Sequence, residues 1–177
     1  MKKRLISCHQ IINVLLILIL VMPFSLVAQS TTDGLTTMIL VRHAEKVDDS
    51  RDPDLSEAGY DRAENLAEIF NKLSFDAVYS TDFIRTRETA NPIAESNNLS
   101  IQSYDPQNPL LEVEKWIEMH QGETILVSGH SNSTPTFANT ILGENHFDGS
   151  FDESDYGNIL IITISGDEEK KLLHLRY

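Results

Sequence analysis

The sequence predicts an α/β protein, a three-layer sandwich whose mostly parallel central sheet is flanked by helices and closed by a C-terminal hairpin. Three observations carry that prediction. Short apolar runs alternate with stretches of helical spacing, the order that builds parallel sheets with crossover helices. The runs at 38–41 and 125–127 are continuously apolar, as strands covered on both faces must be. Two β-rich segments, 158–165 and 171–177, read as a hairpin across Gly166-Asp167-Glu168-Glu169.

Each element follows from local signals. A polar lead-in at 30–36 precedes a first strand at 38–42, and 47–53 is too charged for a core and reads as a loop. Ser56 caps a helix running to about residue 73, with Ala63, Leu66, Ala67, Ile69, Phe70 and Leu73 at helical spacing. A second strand at 76–80 leads to a helix at 83–96 and a short strand at 100–104. Asp105-Pro106-Gln107-Asn108-Pro109 turns the chain into a helix carrying Leu110, Leu111, Val113, Trp116, Ile117 and Met119, which Gly122 ends. A fourth strand spans 124–129, and Pro135 opens a helix at 136–142 stopped by Gly143.

The first thirty residues stand apart. Lys2, Lys3 and Arg4 precede an apolar run at 11–21, then Met22-Pro23 and the small residues Ala28 and Ser30. That is the pattern of a secretory signal peptide. The alternative is an N-terminal anchor, because 11–27 is near the short limit of about 17 residues for a membrane span; Asn13 and Pro23 weigh against it. The expected organisation is therefore a leader at 1–30 and one domain at 31–177. The domain is expected outside the cytoplasm, periplasmic or secreted, or membrane-anchored if the leader is retained. The single cysteine, Cys8, lies in the leader, so the domain has no disulfide and no cysteine-zinc site.

Charge narrows the partners. The whole chain carries a formal charge of −13; without Lys2, Lys3 and Arg4, 11 basic residues face 27 acidic ones, a net charge of −16. So much negative charge argues against nucleic acid and against contact of the domain with anionic membranes. Nothing in the pattern specifies an oligomer. Any anion site must be local, built by a few cations against the overall field.

Such a site is legible at the carboxyl ends of the predicted strands, where open parallel sheets bind ligands. Arg42 and His43 follow the first strand, Arg85 lies in the first turns of the helix after Ser80, and His130 follows the fourth strand. Arginine forks suit phosphate oxygens, and imidazoles can attack, donate protons or bind charge. After His130, Ser131-Asn132-Ser133-Thr134 leads into a helix whose free N–H groups can hold an anion. Two arginines, two histidines and a helix start make a phosphoryl pocket that needs no metal or cofactor, since the guanidiniums neutralise the charge.

The segments Val41-Arg42-His43-Ala44-Glu45, Leu55-Ser56-Glu57-Ala58-Gly59, Tyr79-Ser80 with Arg85-Thr86-Arg87-Glu88-Thr89-Ala90, and Val127-Ser128-Gly129-His130-Ser131-Asn132 stand in order. In these motifs the chain resembles the histidine phosphatase superfamily, also called phosphoglycerate-mutase-like, from about residue 37 to 164. The resemblance implies that His43 takes the phosphoryl group as a phosphohistidine. Arg42, Arg85 and His130 would hold the phosphoryl oxygens, with the Ser131 N–H added to the cradle. Ala44 stands where the first motif often has Gly, and Thr81-Asp82 where a Pro is common.

One part is missing. Many relatives supply an acidic proton donor from a long insertion between the second Arg and the second His, and this chain has no such insertion. Asp105 and Glu112 are the candidates. The compactness is similar to that of the short bacterial phosphohistidine phosphatases, whose leaving groups need less protonation.

The implied function is metal-independent hydrolysis of a small phosphomonoester or phosphoramidate. A non-catalytic phosphate-binding domain of the same fold is the alternative, and a phosphoglycerate-type mutase is less favoured. Arg87 is expected to pair with acids on the helix surface. His120, His146 and His174 show no metal-like spacing. The acidic stretches 48–54 and 148–155 read as solvated loops, with a place at the pocket rim the less favoured reading for the second.

Overall fold

The computed structural model of the protein describes residues 34–177. The leader assignment, and Cys8 with it, lies outside them. Among the described residues, no helix is long and apolar enough to cross a membrane.

Six strands and four helices alternate as expected: β1 (Thr36–Arg42), α1 (Glu57–Ile69), β2 (Ala77–Ser80), α2 (Ile84–Ser96), β3 (Ile101–Ser103), α3 (Pro109–Met119), β4 (Thr124–Gly129), α4 (Ser133–Leu142), β5 (Asn158–Ile164) and β6 (Lys170–Arg176). They form one sheet in the order β3-β2-β4-β1-β5-β6. The first four strands in that order run parallel, while β5 is antiparallel to β1 and to β6.

Alternation along β1 explains why its run is apolar throughout. Met38 and Leu40 enter a core with Val113 and Trp116 of α3 and Phe137 and Ile141 of α4. Ile39 and Val41 enter a second core with Leu66 of α1 and Ala90 and Ile93 of α2. Each face of the sheet is thus covered by a helix pair, the three-layer arrangement.

Two helix boundaries and one buried helix face differ from expectation. Helix α1 ends at Ile69, with Phe70 out of helical geometry at its C-cap; Ile69 and Leu73 are exposed, so apolar spacing outran the helix. Leu110, Leu111 and Met119 face outward, and α3 buries Glu112, Val113 and Trp116 instead. Helix α4 begins at Ser133, capped by the Asn132 side chain, with Pro135 in its first turn where a missing N–H costs little.

What positions the site is the insertion of β4 between β1 and β2. Arg42 pairs with Gly129 across the ladder, which sets His43 beside His130 at the same sheet edge. The chain leaves β1 toward β2 and leaves β4 toward β5, in opposite directions along the sheet. That divergence opens a crevice at the strand ends.

Candidate active site

Backbone ties fix the first motif before any ligand is considered. The His43 N–H donates to the Gly129 carbonyl at 2.9 Å, and the Thr134 hydroxyl donates to the Val41 carbonyl at 3.3 Å. The Ala44 N–H donates to the Thr89 hydroxyl at 2.9 Å, and that hydroxyl donates to the Arg85 carbonyl at 2.7 Å. The strand end carrying His43 is therefore locked to the helix carrying Arg85. Gly59 has a steric reason: a Cβ there would lie 2.3 Å from the Glu45 carbonyl oxygen. The Ser56 N–H donates to the same carbonyl, and the Ser56 hydroxyl caps the Gly59 N–H, so α1 presses directly on the first motif.

A cavity of about 600 Å³ opens at these strand ends, lined by His43, Lys46, Phe83, Arg85, Gln107, His130, Ser131, Asn132 and Glu153 among others. The His43 and His130 rings stand edge to face, 5.5 Å between centroids. Arg85 lies over the Phe83 ring at 4.4 Å and is 3.6 Å from Asp52, whose carboxylate also accepts from the Ile84 N–H. The loop at 48–54 thus contributes a residue that steadies Arg85.

The hydrogen bonds decide both tautomers. His43 Nδ1 is 2.7 Å from the Ala44 carbonyl, which can only accept, so Nδ1 carries the proton and Nε2 keeps its lone pair. Burial, then the Arg42, His130 and Arg85 charges, drive the His43 pKa down to about 3 against the backbone bond that opposes them. The unprotonated imidazole is what nucleophilic attack requires. His130 Nδ1 lies 3.4 Å from Arg85 Nη2, a donor, so its proton is on Nε2 and faces the Thr81 hydroxyl at 2.9 Å. Burial and the Arg85 and Arg42 charges hold His130 at about 4.

Arg42 departs from its expected place. It is fully buried; Nη1 donates to the Asp152 and Asp155 carbonyls at 2.8 and 3.2 Å, Nη2 donates to the Glu153 carboxylate at 2.7 Å, and the guanidinium lies over the Tyr156 ring at 4.2 Å. Its hydrogen-bond partners all come from the acidic stretch expected to be solvated, and Tyr156 follows that stretch directly. The physical reason is that a buried guanidinium needs acceptors, and this loop supplies them. The loop is further docked by the Phe151 N–H on the Ser131 carbonyl at 2.9 Å and by Asp155 on Arg176.

Ser131 also plays a different part. Its hydroxyl donates to the Glu153 carboxylate. At the start of α4, the Ser133 N–H donates to Asn132 and the Thr134 N–H to the His130 carbonyl. Those two amides, expected to be free for an anion, are satisfied inside the turn.

Of the two acid candidates, neither Asp105 nor Glu112 lines the cavity. Glu112 accepts from the Asp105 N–H and pairs with Lys115, while Asp105 accepts from Gln107 and Asn108. Glu45 is held by Arg62 in a bidentate pair and Lys46 lines the cavity, where both were adjacent in sequence to the motif. Arg87 stands 3.8 Å from Asp82 on the surface. His120 is buried between Tyr79 and Glu123. Sequence reasoning missed Glu153 and Tyr156, because nothing in spacing or composition marks which residue of an irregular acidic loop turns inward, and it missed Phe83 at the N-cap of α2, whose ring lies under Arg85.

Known proteins resemble the chain in part of its sequence and in its fold. Residues 38–106 match the family model of the histidine phosphatase superfamily, branch 1. Phosphoserine phosphatase 1 of Hydrogenobacter thermophilus is 40% identical over 75 residues, 38% of this chain and 36% of that protein. The matched region thus spans little more than a third of that relative's length. The solved structure of the protein histidine phosphatase SixA complexed with tungstate superposes with a TM-score of 0.62 at 15% identity, over 79% of this chain and 96% of that one. Phosphoserine phosphatase of Entamoeba histolytica in complex with 3-phosphoglyceric acid gives 0.62 at 16% identity, over 80% and 97%. At these identities the structural likeness is one of fold. The family match over residues 38–106, the six-stranded sheet and the ordered motifs make this part of the chain similar to the histidine phosphatase superfamily, and the whole described fold similar to that of its solved members.

Proposed function

We propose that the protein is a phosphatase that hydrolyses a small phosphomonoester or phosphoramidate through a phosphohistidine on His43. One observation carries this reading above the others. His43 has its Nδ1 proton committed to the Ala44 carbonyl and an unprotonated Nε2, in a cavity wall shared with Arg85 and His130. A phosphoryl group entering there meets a nucleophile, a guanidinium and a second imidazole. The incoming dianion favours the charged form of His130, which lets His130 bind the transition-state charge while His43 keeps its Nε2 lone pair. Charge neutralisation by side chains makes the chemistry independent of added metal. Similarity to phosphatases acting on phosphoserine and on protein phosphohistidine supports the reaction class.

Hydrolysis of p-nitrophenyl phosphate by the protein, with and without EDTA, tests the reading. Turnover is expected to survive EDTA and to fall by several orders of magnitude in His43→Ala. Rapid quenching should trap an acid-labile, base-stable phosphate on His43. Turnover that persists in His43→Ala overturns the nucleophile, and loss to EDTA overturns the metal-free chemistry. Tungstate binding without turnover of any phosphate would establish a binding domain instead. The leader-like composition of residues 1–30 supports a site of action outside the cytoplasm. Recovery of the protein in the cytoplasmic fraction of its host would overturn that part alone.

A further inference from the structure

We propose that Glu153, carried by the loop after the second histidine motif, is the proton donor and acceptor of the reaction. The inference rests on the phosphatase reading above.

Among the described residues that line the cavity, Glu153 is the only carboxylate. It shares that wall with His43, Arg85 and His130, whereas Asp105 and Glu112 are engaged elsewhere. Its position is built rather than casual. One carboxylate oxygen accepts from Arg42 Nη2 at 2.7 Å and the other from the Ser131 hydroxyl. Its loop is tied down on both sides, by the Phe151 N–H on Ser131 and by the Asp155–Arg176 pair. The Glu153 side chain is still 74% exposed, so it can exchange protons with water.

Family resemblance assigns Arg42 and the Ser131 N–H to the phosphoryl oxygens; Glu153, held by the Arg42 guanidinium and by the Ser131 hydroxyl, sets its carboxylate beside that place. The Ser131 hydrogen bond, and then the Arg42, Lys46 and His43 groups, hold it below the usual carboxylate range and so keep it ionised. Arg85 and His130 face the same space from α2 and from the end of β4. A phosphate dianion takes over the Arg42 charge and sets a like charge beside the carboxylate. Both effects favour protonation, and the proton comes from solvent.

The steps then balance. His43 Nε2 bonds to phosphorus as the bond to the leaving oxygen breaks, and the Glu153 proton passes to that oxygen, so a neutral alcohol departs. A water molecule next attacks the phosphohistidine. Glu153, now a carboxylate, takes a water proton as the new P–O bond forms and the P–N bond breaks. Inorganic phosphate leaves and Glu153 is again protonated. The short segment between Arg85 and His130 needs no acid of its own, because the acid arrives from the other side of His130.

Leaving-group dependence in Glu153→Gln is the test. Glycerol 2-phosphate releases a poor leaving group and p-nitrophenyl phosphate a good one. Loss of an acid is expected to cut kcat on glycerol 2-phosphate by about 100-fold or more, with a much smaller loss on p-nitrophenyl phosphate. Glu153→Asp is expected to recover part of the difference, and the alkaline fall of the wild-type pH profile on glycerol 2-phosphate should vanish in Glu153→Gln. Tungstate affinity reports that the variant's pocket is intact. Equal losses on both substrates overturn the proposal. So does a lower KM with kcat retained on both, which would make Glu153 only an anion competing for the cradle. A wild-type protein that hydrolyses neither substrate overturns the phosphatase reading itself, and is distinguishable because no variant is involved.

Discussion

Two buried neutral imidazoles stand among the guanidiniums of Arg42 and Arg85, and that proximity has a cost that depends on pH. In the unfolded chain both histidines titrate near 6.5; in the folded protein His43 and His130 are held near 3 and 4. Below pH 6.5 the unfolded state therefore binds more protons than the native state, and stability falls as pH falls through that window. Above it these two groups contribute no slope. The limiting slope is about 1.4 kcal/mol per pH unit for each histidine, less whatever relaxation of the pocket absorbs. Urea titrations at pH 7 and pH 5 should show a smaller difference for His43→Asn and His130→Asn than for wild type. Saturating phosphate should also reduce the difference, because a bound anion favours the imidazolium forms. An unchanged slope in both variants would overturn the account. At this scale the gathering of His43, Arg85 and His130 around one cavity was legible in the sequence, because each follows a strand end or opens a helix. Glu153 was not, since its approach to Arg42 depends on the path of an irregular loop.

The helix α1 shows how one small residue couples an element to the site. Gly59 lets the first turn of α1 lie against the Glu45 backbone, two residues beyond His43, and Arg62 in the next turn holds the Glu45 carboxylate. A methyl at position 59 would meet the Glu45 carbonyl oxygen at 2.3 Å, a backbone atom that cannot swing aside. Gly59→Ala is expected to cost about 1–3 kcal/mol, the range for overpacking. That corresponds to a fall in Tm of roughly 2–4 °C per kcal/mol for a domain of this size. Activity should fall with it, through displacement of the loop that carries His43. Thermal melts that match wild type would show that α1 can shift without loss. The Leu-Ser-x-x-Gly pattern was visible in the sequence as part of a resemblance; its cause, a backbone contact, belongs to the folded chain. Helix ends were less legible for a related reason. Apolar spacing continues through Ile69, Leu73, Leu110 and Leu111 although tertiary packing leaves all four exposed.

Across the whole molecule, strand types and their order along the chain could be read from apolar runs, but the sheet order could not. Placing β4 between β1 and β2 is a long-range choice, decided by which apolar faces two helix pairs can cover at once. That choice brings Arg42 opposite Gly129 and sets Arg42, Lys46 and Arg85 at the strand ends of a strongly acidic protein. The consequence is kinetic. A phosphate dianion approaching a chain of formal charge −13 meets repulsion at long range and attraction only near Arg85 and Lys46. Salt screens interactions beyond about 10 Å at 0.1 M and acts less on buried, close contacts. Screening should therefore remove more of the repulsion than of the capture. The value of kcat/KM for p-nitrophenyl phosphate is expected to rise as sodium chloride increases from 10 to 150 mM, with kcat nearly constant. A fall over that range would mean that the local cations already dominate the approach. The overall acidity would then shape solubility and leave substrate encounter untouched.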